Sequence, residues 1–213
     1  MTIIGVTGLA GLSPTLSAIK HSQIVALANK ESIICGGDLL QKQIRQSQAK
    51  VIPVDSEHFS IYQLCQNHHH DDLKEVAITA SGGPFLKLDD WSKITPKQAL
   101  NHPIWSMGNK ITIDSATMVN KTLEVIEAHY LFNLPASQIK VIIDEAAKLH
   151  AIVNFKSGLS KALFYQANMQ IPLASAMFDP YQPEVNNIAP LTIDEIINCR
   201  LAKIDFNKFK VLN

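Results

Sequence analysis

The sequence predicts an α/β fold, and three observations support that prediction. Short apolar runs at 24–28 and 51–54 have the length and composition of buried strands, and residues 75–79 form a third predicted strand. Stretches with helical patterns lie between these runs, which is the alternation typical of parallel α/β sheets. The composition, with 46% hydrophobic and 18% charged residues among 213, is that of a globular chain with a substantial core.

Charge and cysteine content narrow the classes of function. Nineteen basic residues balance 19 acidic ones, so no bulk field attracts nucleic acid or an anionic membrane surface. Cys35, Cys65 and Cys199 are scattered without a CxxC spacing, which is typical of reduced thiols in a cytoplasmic protein. No apolar run approaches the roughly 18 residues of a membrane helix, and Met1 is not followed by a basic signal region. We therefore expect a cytoplasmic protein with local binding sites.

The first glycine-rich segment, Gly5 to Gly11, suggests a dinucleotide-binding loop, but its surroundings favour a simpler turn. Only residues 2–4 are available as a preceding strand, and Pro14 falls where the helix of such a loop should begin. We therefore predict a glycine turn followed by a helix from about Pro14 to Lys20.

Polar residues follow the first two predicted strands. Residues 29–32 follow the first strand, and Ser32 is expected to cap the next helix. Asp55 and Glu57 follow the second strand at positions i and i+2, which project to one side of an extended segment and can converge on a hard divalent cation. Ser56 would then be free to face another group. The alternative is an acid-rich helix N-terminus, which is common in proteins.

The third strand ends in a second glycine turn at 79–85. Its glycines allow a tight backbone and leave the Ser81 hydroxyl pointing at a ligand, although a plain turn would use the same residues. The three histidines at 68–70 precede this strand, and we interpret them as a solvated loop rather than a metal site.

The loop at 101–108 contains two large apolar residues, Trp105 and Met107. These side chains either drop into the core or form a mobile flap that closes over a substrate. In the flap interpretation Gly108 lies near the hinge, and His102 donates a hydrogen bond.

The segment from Lys110 to Glu127 carries the largest concentration of candidate ligands. Alternation at 110–113 predicts a short strand, and the side-chain oxygens that follow predict a helix beginning near residue 116. Asn120, Lys121 and Glu124 share one face of that helix. This face is either a solvated surface with a Lys121–Glu124 pair, or an anion site in which Ser115, Asn120 and Lys121 surround a phosphate and Glu124 binds a metal.

The remaining elements are predicted from periodicity and turn residues. We expect an amphipathic helix at 89–100, a strand at 141–143, and a hairpin formed by 151–155 and 159–165.

Five motifs occur together in the order and approximate spacing of one known family. They are ALANKES (26–32), PVDSEH (53–58), SGGPF (81–85), HPIWSMG (102–108) and KITIDSATMVNKTLE (110–124). In combination they resemble 1-deoxy-D-xylulose 5-phosphate reductoisomerase, an oxidoreductase and isomerase of isoprenoid biosynthesis. The resemblance implies metal-dependent isomerisation of a sugar phosphate, followed by NADPH-dependent reduction to 2-C-methyl-D-erythritol 4-phosphate.

The resemblance also implies roles for individual residues. The metal ligands, for Mg²⁺ or Mn²⁺, are Asp55, Glu57 and Glu124. The substrate contacts are Lys30, Ser56, Ser81, His102, Ser115, Asn120 and Lys121. The flap residues are Trp105 and Met107, and the NADPH contacts are Asn29, Glu31 and Gly108. The resemblance implies a sugar-phosphate partner and a homodimer. The balanced charge and the scattered cysteines separately lead us to expect a cytoplasmic protein that binds neither nucleic acid nor membrane.

The chain also departs from the family pattern. In the family, the glycine fingerprint of the Rossmann domain lies far upstream of ANKES, and this chain begins too late to include it. We therefore expect residues 1–54 to be a remnant of a Rossmann-like NADPH-binding domain with an incomplete cofactor site. We expect 55–189 to be an α+β catalytic domain and 190–213 a linker remnant, without the family's C-terminal helical domain. Changes at 144–170 weaken the expectation of a dimer. The chain is therefore expected to be incomplete as a standalone catalyst, and the alternative is a non-catalytic binding module that retains affinity for divalent metal and sugar phosphate.

Overall fold

The computed structural model describes residues 1–212, except for the side chain of His70. The strands are β1 (Thr2–Ile4), β2 (Ile24–Leu27), β3 (Lys50–Pro53), β4 (Leu73–Ala80), β5 (Ile139–Asp144), β6 (Leu149–Phe155), β7 (Ser160–Phe164) and β8 (Leu201–Lys203). The helices are α1 (Leu12–His21), α2 (Lys30–Gln46), α3 (Ser56–Leu64), α4 (Pro96–Ala99), α5 (Asn109–Ala116), α6 (Val119–Phe132), α7 (Gln170–Phe178) and α8 (Ile193–Ile197). The predicted α/β class is confirmed. Among the described residues, no helix is both long and apolar enough to cross a membrane.

The N-terminal part of the chain forms a three-stranded parallel sheet in the order β1-β2-β3. The central strand is almost fully buried, with Val25 and Ala26 at 0% exposure. Apolar residues of α1 and α2 pack against this sheet, among them Ile19 and Ile33. Because the strands are parallel, the residues that follow β2 and β3 emerge at the same edge.

Asn29 joins the end of β2 to the helix that follows. Its side-chain oxygen accepts a hydrogen bond from the Ser32 amide at 2.6 Å, so Asn29, rather than Ser32, caps α2. Its amide nitrogen donates to the carbonyl of Gly8 at 3.1 Å and also to that of Val6. The glycine turn at 5–11 is therefore held against the start of α2.

The second sheet has five strands in the order β7-β6-β4-β5-β8. Strand β4 pairs in parallel with β5 and antiparallel with β6, and β6 continues into the predicted hairpin with β7. Residues of α3 and α6, including Ile61 and Phe132, form the main core with β4 and β6. Helix α6 therefore packs on the larger sheet while it also contacts α2 of the smaller one.

In the segment from Lys110 to Glu127 the predicted strand is wrong, and the predicted helix forms but begins three residues later than expected. Residues 110–113, predicted as a strand, belong to α5, because Thr112 is buried and its hydroxyl donates to the Gly108 carbonyl at 2.9 Å. The helix expected from residue 116 begins instead at Val119, after Met118 reverses the chain with a φ of 64°. These two helices replace the predicted strand and single helix.

The helix predicted at 89–100 is reduced to Pro96–Ala99. Thr95 and Gln98 form a capping box, which starts the helix late. Trp91 lies before that start, where its ring packs beside Phe85 and Phe209 and its indole nitrogen donates to the Leu88 carbonyl. Tertiary packing of Trp91 therefore overrides the helical pattern.

Residues 190–212, the described part of the segment predicted as a linker remnant (190–213), contribute a strand to the larger sheet. Strand β8 pairs antiparallel with β5, with Ala202 opposite Ile143. Ile204 and Phe209 are buried with Ala80 and Met118. This part of the chain is therefore packed rather than linker-like, while the predicted boundaries at 54 and 189 stay predictions.

The Phe209 side chain gives a direct measure of this packing. Because Phe209 is only 1% exposed, we expect Phe209→Ala to lower the free energy of unfolding by about 3–5 kcal/mol. Phe178→Ala is the matched control, because Phe178 is 55% exposed and its loss should cost less than about 1 kcal/mol. Equal midpoints in urea unfolding for the two variants would contradict the packing described here.

Candidate functional site

A cavity of about 320 Å³ lies where the carboxyl ends of β2, β3 and β4 meet α5, α6 and the loop at 101–108. Twelve of the residues singled out from the sequence line it: Lys30, Asp55, Ser56, Glu57, Ser81, His102, Trp105, Met107, Ser115, Asn120, Lys121 and Glu124. The sequence analysis missed several other lining residues, including Ile111 and Met169. Asn29, Glu31 and Gly108, predicted as cofactor contacts, are absent from the described lining.

The acidic centre of the cavity is formed by Asp55, Glu57 and Glu124. One carboxylate oxygen from each lies within 4.8 Å of the others. Asp55 is the N-cap of α3 and accepts the Glu57 amide at 3.2 Å, so the acid-rich helix start, weighed as the alternative, is what forms. That helix start nevertheless points both acids at Glu124, which lies in the second turn of α6.

Two lysines offset part of the negative charge of these acids. The Lys30 ammonium lies 2.9 Å from Asp55 Oδ2 and 2.8 Å from Glu124 Oε1. The Lys121 ammonium lies 2.6 Å from Glu57 Oε1 and also contacts Glu124 Oε2. Both lysine side chains are at most 11% exposed. The three carboxylates, whose side chains are at most 16% exposed, and the two ammonium groups leave one formal negative charge. They form a hard-oxygen donor set that fits Mg²⁺ or Mn²⁺.

Burial and charge shift the pKa values of the three acids in different directions. Burial and the nearby Glu124 carboxylate raise the pKa of Glu57 to about 7. Burial also opposes ionisation of Asp55 and Glu124, but the lysines outweigh it. For Asp55, Lys30 and the His58 ring hold the pKa well below its usual range. For Glu124, Lys121 and Lys30 lower the pKa.

Two further charged residues, His58 and Glu127, form a second layer around the acids that the sequence analysis missed. His58 Nδ1 lies 2.9 Å from Asp55 Oδ1 and 3.4 Å from Glu127 Oε2, and Nε2 lies 2.9 Å from the Glu124 carbonyl. Nε2 can only donate to that carbonyl, and Nδ1 faces two carboxylates, so both nitrogens carry protons. Burial lowers the pKa of His58, yet Glu127 and Asp55 raise it to about 9.

A sequence signal for this second layer existed in the helical spacing. His58 follows Asp55 by three positions, and Glu127 follows Glu124 by three. In helices such spacing places side chains on one face. The amphipathic patterns of α3 and α6 did not indicate that these two faces meet.

The Ser81 turn and the loop at 101–108 meet at His102. His102 Nδ1 accepts hydrogen bonds from the amides of Ile104 and Trp105 at 3.1 and 2.9 Å. Its other nitrogen, Nε2, lies 3.0 Å from the Ser81 hydroxyl. Burial lowers the pKa of His102, which favours the neutral ring with its proton on Nε2. His102 therefore orders the loop and directs a donor toward Ser81.

The predicted anion pocket differs from its expected geometry. Ser115 lies at the end of α5 rather than at a helix start. Asn120 is in the first turn of α6, where its side chain accepts from Lys30 at 3.1 Å and donates to Glu124. The Ser56 hydroxyl donates to Glu57 Oε2 and is not free, contrary to expectation. Asn120 and Lys121, two of the three groups expected to hold a phosphate, are thus bonded to the acids in this structure.

Trp105 and Met107 are half-buried and face the cavity. The Trp105 ring lies edge-on to His150, with ring centroids 6.4 Å apart. Neither side chain is fully inside the core, so the flap role stays a prediction.

Two models of one family match the chain. The model for the 1-deoxy-D-xylulose 5-phosphate reductoisomerase C-terminal domain matches residues 51–132, and the model for 1-deoxy-D-xylulose 5-phosphate reductoisomerase matches residues 1–37. Together they cover more than half of the chain. The matched ranges include the predicted metal ligands.

Curated relatives and solved structures agree with these matches. The chain is 44% identical to the 1-deoxy-D-xylulose 5-phosphate reductoisomerase of Pelagibacter ubique (strain HTCC1062), over 99% of this chain and 55% of that protein. It is 41% identical to that of Clostridium novyi (strain NT), over 100% of this chain and 55% of that protein. The chain thus spans about half the length of these relatives.

Among solved structures, the chain is similar to DOX-P reductoisomerase in complex with NADPH, fosmidomycin and magnesium. The TM-score is 0.89 at 36% identity, over 99% of this chain and 54% of that one. It is also similar to 1-deoxy-D-xylulose 5-phosphate reductoisomerase from Zymomonas mobilis in complex with NADPH. Here the TM-score is 0.90 at 34% identity, over 99% of this chain and 55% of that one.

Gly83 sets how closely the Ser81 turn approaches α5. Its φ is +63°, and an added Cβ would lie 2.9 Å from the Ser115 carbonyl oxygen. We expect Gly83→Ala to lower the free energy of unfolding by about 1–3 kcal/mol. Gly5→Ala is the matched control, because a Cβ there meets nothing within 4 Å. A urea midpoint for Gly83→Ala equal to that of the control would contradict the close approach.

Cation binding should depend on pH through Glu57. Because its pKa is about 7, a cation must displace a proton from Glu57 below that pH, and affinity should fall by up to about tenfold per pH unit. Above about pH 7.5 the Glu57 contribution should be flat. Calorimetric titration with Mn²⁺ across this range measures the effect, and Glu57→Gln should bind weakly with a flatter profile. A pH-independent wild-type affinity would contradict the assignment.

Proposed function

Because the chain belongs to the 1-deoxy-D-xylulose 5-phosphate reductoisomerase family, we propose that it carries the metal and substrate site of that enzyme. The observation that carries the proposal is the convergence of three carboxylates, one buried and two half-buried, with two lysines in one cavity. The reaction is the metal-dependent isomerisation of a sugar phosphate, followed by NADPH-dependent reduction for isoprenoid biosynthesis. Since the chain spans about 55% of its relatives, this activity is proposed for the protein to which these residues belong.

Asp55, Glu57 and Glu124 would hold the divalent cation. Their oxygen donors fit the magnesium named for the similar structures. When bound, the cation supplies a Lewis acid for the ketone and the neighbouring hydroxyl of the substrate. His58 keeps Asp55 turned toward this centre, because its ring is fixed between the Asp55 carboxylate and the Glu124 carbonyl.

Lys30, Asn120 and Lys121 would bind the substrate oxygens. In this structure both ammonium groups neutralise carboxylates, a task that a divalent cation can take over. The lysines could then face the oxygens of a sugar phosphate, beside Ser115 and Ser81. This exchange of partners is consistent with fosmidomycin being bound together with magnesium in a similar structure.

The loop at 101–108 would close over the bound substrate. His102 orders its turn through the two amide hydrogen bonds described above, while Trp105 and Met107 supply apolar cover. Exclusion of water strengthens the electrostatic interactions inside the cavity and protects the reacting groups. Asn29, Glu31 and Gly108 remain proposed NADPH contacts, and a homodimer remains a proposal from the family resemblance.

A non-catalytic binding module is the alternative, and the comparisons do not favour it. Relatives at 41–44% identity are named as the reductoisomerase, and the acidic and lysine residues discussed above are all present. Each element of the proposed site can be tested by binding measurements on this chain.

Calorimetry with Mn²⁺ and fosmidomycin tests the proposal. We expect the wild-type chain to bind Mn²⁺, and the triple variant Asp55→Ala, Glu57→Ala, Glu124→Ala to lose at least about 100-fold in affinity, since it lacks every charged oxygen donor of the site. We also expect Mn²⁺ to strengthen fosmidomycin binding in the wild type only.

The matched control is a triple alanine variant of three exposed acids, Asp38, Asp71 and Glu184. It removes the same charge from the surface and should bind Mn²⁺ like the wild type. Equal Mn²⁺ affinity for the two triple variants would show that the three carboxylates are not the metal site.

A further inference from the structure

Tyr165 lies behind the acidic centre, outside the cavity lining described above. It is 8% exposed and comes directly after β7, where its amide donates to the Lys148 carbonyl at 3.0 Å. It stands just before residues 167–170, one of the segments in which the chain departs from the family pattern. The proposed function gives this buried phenol no role.

The Tyr165 hydroxyl reaches the first turn of α3. It donates to the Ser56 carbonyl oxygen at 2.9 Å. The Ser60 hydroxyl donates to the same carbonyl at 2.7 Å. Ser56 lies between Asp55 and Glu57, so the peptide unit that receives these hydrogen bonds leads directly into Glu57 and follows Asp55 by one residue.

Two aromatic rings contact the phenol ring of Tyr165. His150 stacks on it with ring centroids 3.7 Å apart and an interplanar angle of 17°. Phe59, from α3 itself, meets it edge-on at 6.5 Å. His150 Nε2 also donates to the Tyr165 carbonyl at 3.2 Å, so the tyrosine is fixed to β6 through both its ring and its backbone.

The β6–β7 hairpin therefore sets the position of a hydroxyl, and that hydroxyl sets the position of the α3 start. The hydrogen bond from Tyr165 thus links the Ser56 carbonyl, in the first turn of α3, to the β6–β7 hairpin. Loss of the hydroxyl would let the turn that carries Asp55 and Glu57 relax relative to Glu124, which is anchored on α6.

We propose that Tyr165 is a positioning residue for the divalent-cation site, acting through the Ser56 carbonyl on Asp55 and Glu57. This inference rests on the proposed function, since it requires that the three acids bind a cation. It assigns Tyr165 no contact with the cation or the substrate.

The test is Mn²⁺ calorimetry on the full chain with Tyr165→Phe. This variant keeps the ring and both ring contacts and removes only the hydroxyl. We expect the Mn²⁺ dissociation constant to rise about three- to tenfold, as for the loss of one buried hydrogen bond.

Ser60→Ala should show a smaller rise in the Mn²⁺ dissociation constant alone. The effect of the double variant should exceed the product of the two single effects, because each hydroxyl partly compensates for the other at one carbonyl.

Tyr62→Phe is the matched control. Tyr62 lies on the same helix, but its hydroxyl contacts Asp179, away from the acids. It should leave the Mn²⁺ affinity unchanged. Mn²⁺ affinities are compared at a temperature at which circular dichroism shows that all variants are folded. Under that condition, a purely structural role for Tyr165 would lower the melting temperature of the variant and leave its Mn²⁺ affinity unchanged.

The outcomes separate the two ideas. If the wild type binds no Mn²⁺, the proposed function and this inference both fail. If the wild type binds Mn²⁺ and Tyr165→Phe binds it equally well, only the role of Tyr165 is overturned. A weaker affinity for Tyr165→Phe, with Tyr62→Phe unchanged, supports the inference.

Discussion

Three carboxylates within a few ångströms of one another, in a site with little access to water, repel each other strongly unless positively charged groups lie between them. In this chain Lys30 and Lys121 provide that charge, each bridging Glu124 to one of the two acids at the start of α3. The cost of burying any one of these groups alone would be large, and it is offset only by the whole arrangement. The rest of the site depends on this balance, because the positions of the lysines, of Asn120 and of Ser56 all follow from it.

Two features of the fold bring these charged residues together. Parallel strands β2 and β3 end at one edge, so Lys30 and Asp55 emerge side by side although they are 25 positions apart. Helix α6 then crosses between the two sheets and brings Glu124 to the same edge, 94 positions from Lys30. The helix start at Asp55 adds free amides and a favourable dipole to the acidic side chains.

A supporting layer holds the site without entering it. The His58 ring links Asp55 to the backbone of Glu124, and the buried Glu127 balances the charge of that ring. Gly83 permits the Ser81 turn to lie against the end of α5. Each of these contacts joins elements that are distant in sequence, so the geometry of the acids is a property of the packed domain rather than of any one motif.

The sequence by itself determined the class of fold, the buried strands and the chemistry of the site. Apolar runs of four or five residues fix strands through their burial, and the identities of Asp55, Glu57 and Glu124 fix hard-oxygen ligands wherever they lie. Only the tertiary structure decided that residues 110–113 are helical, that 201–209 packs against the larger sheet, and that the lysines pair with the acids. The physical reason is that local patterns record how a side chain suits a helix, a strand or the interior. They do not indicate which distant group will accept the hydrogen bond of a buried polar side chain. The Glu124 carbonyl accepts from His58, and the Ser56 carbonyl accepts from Tyr165.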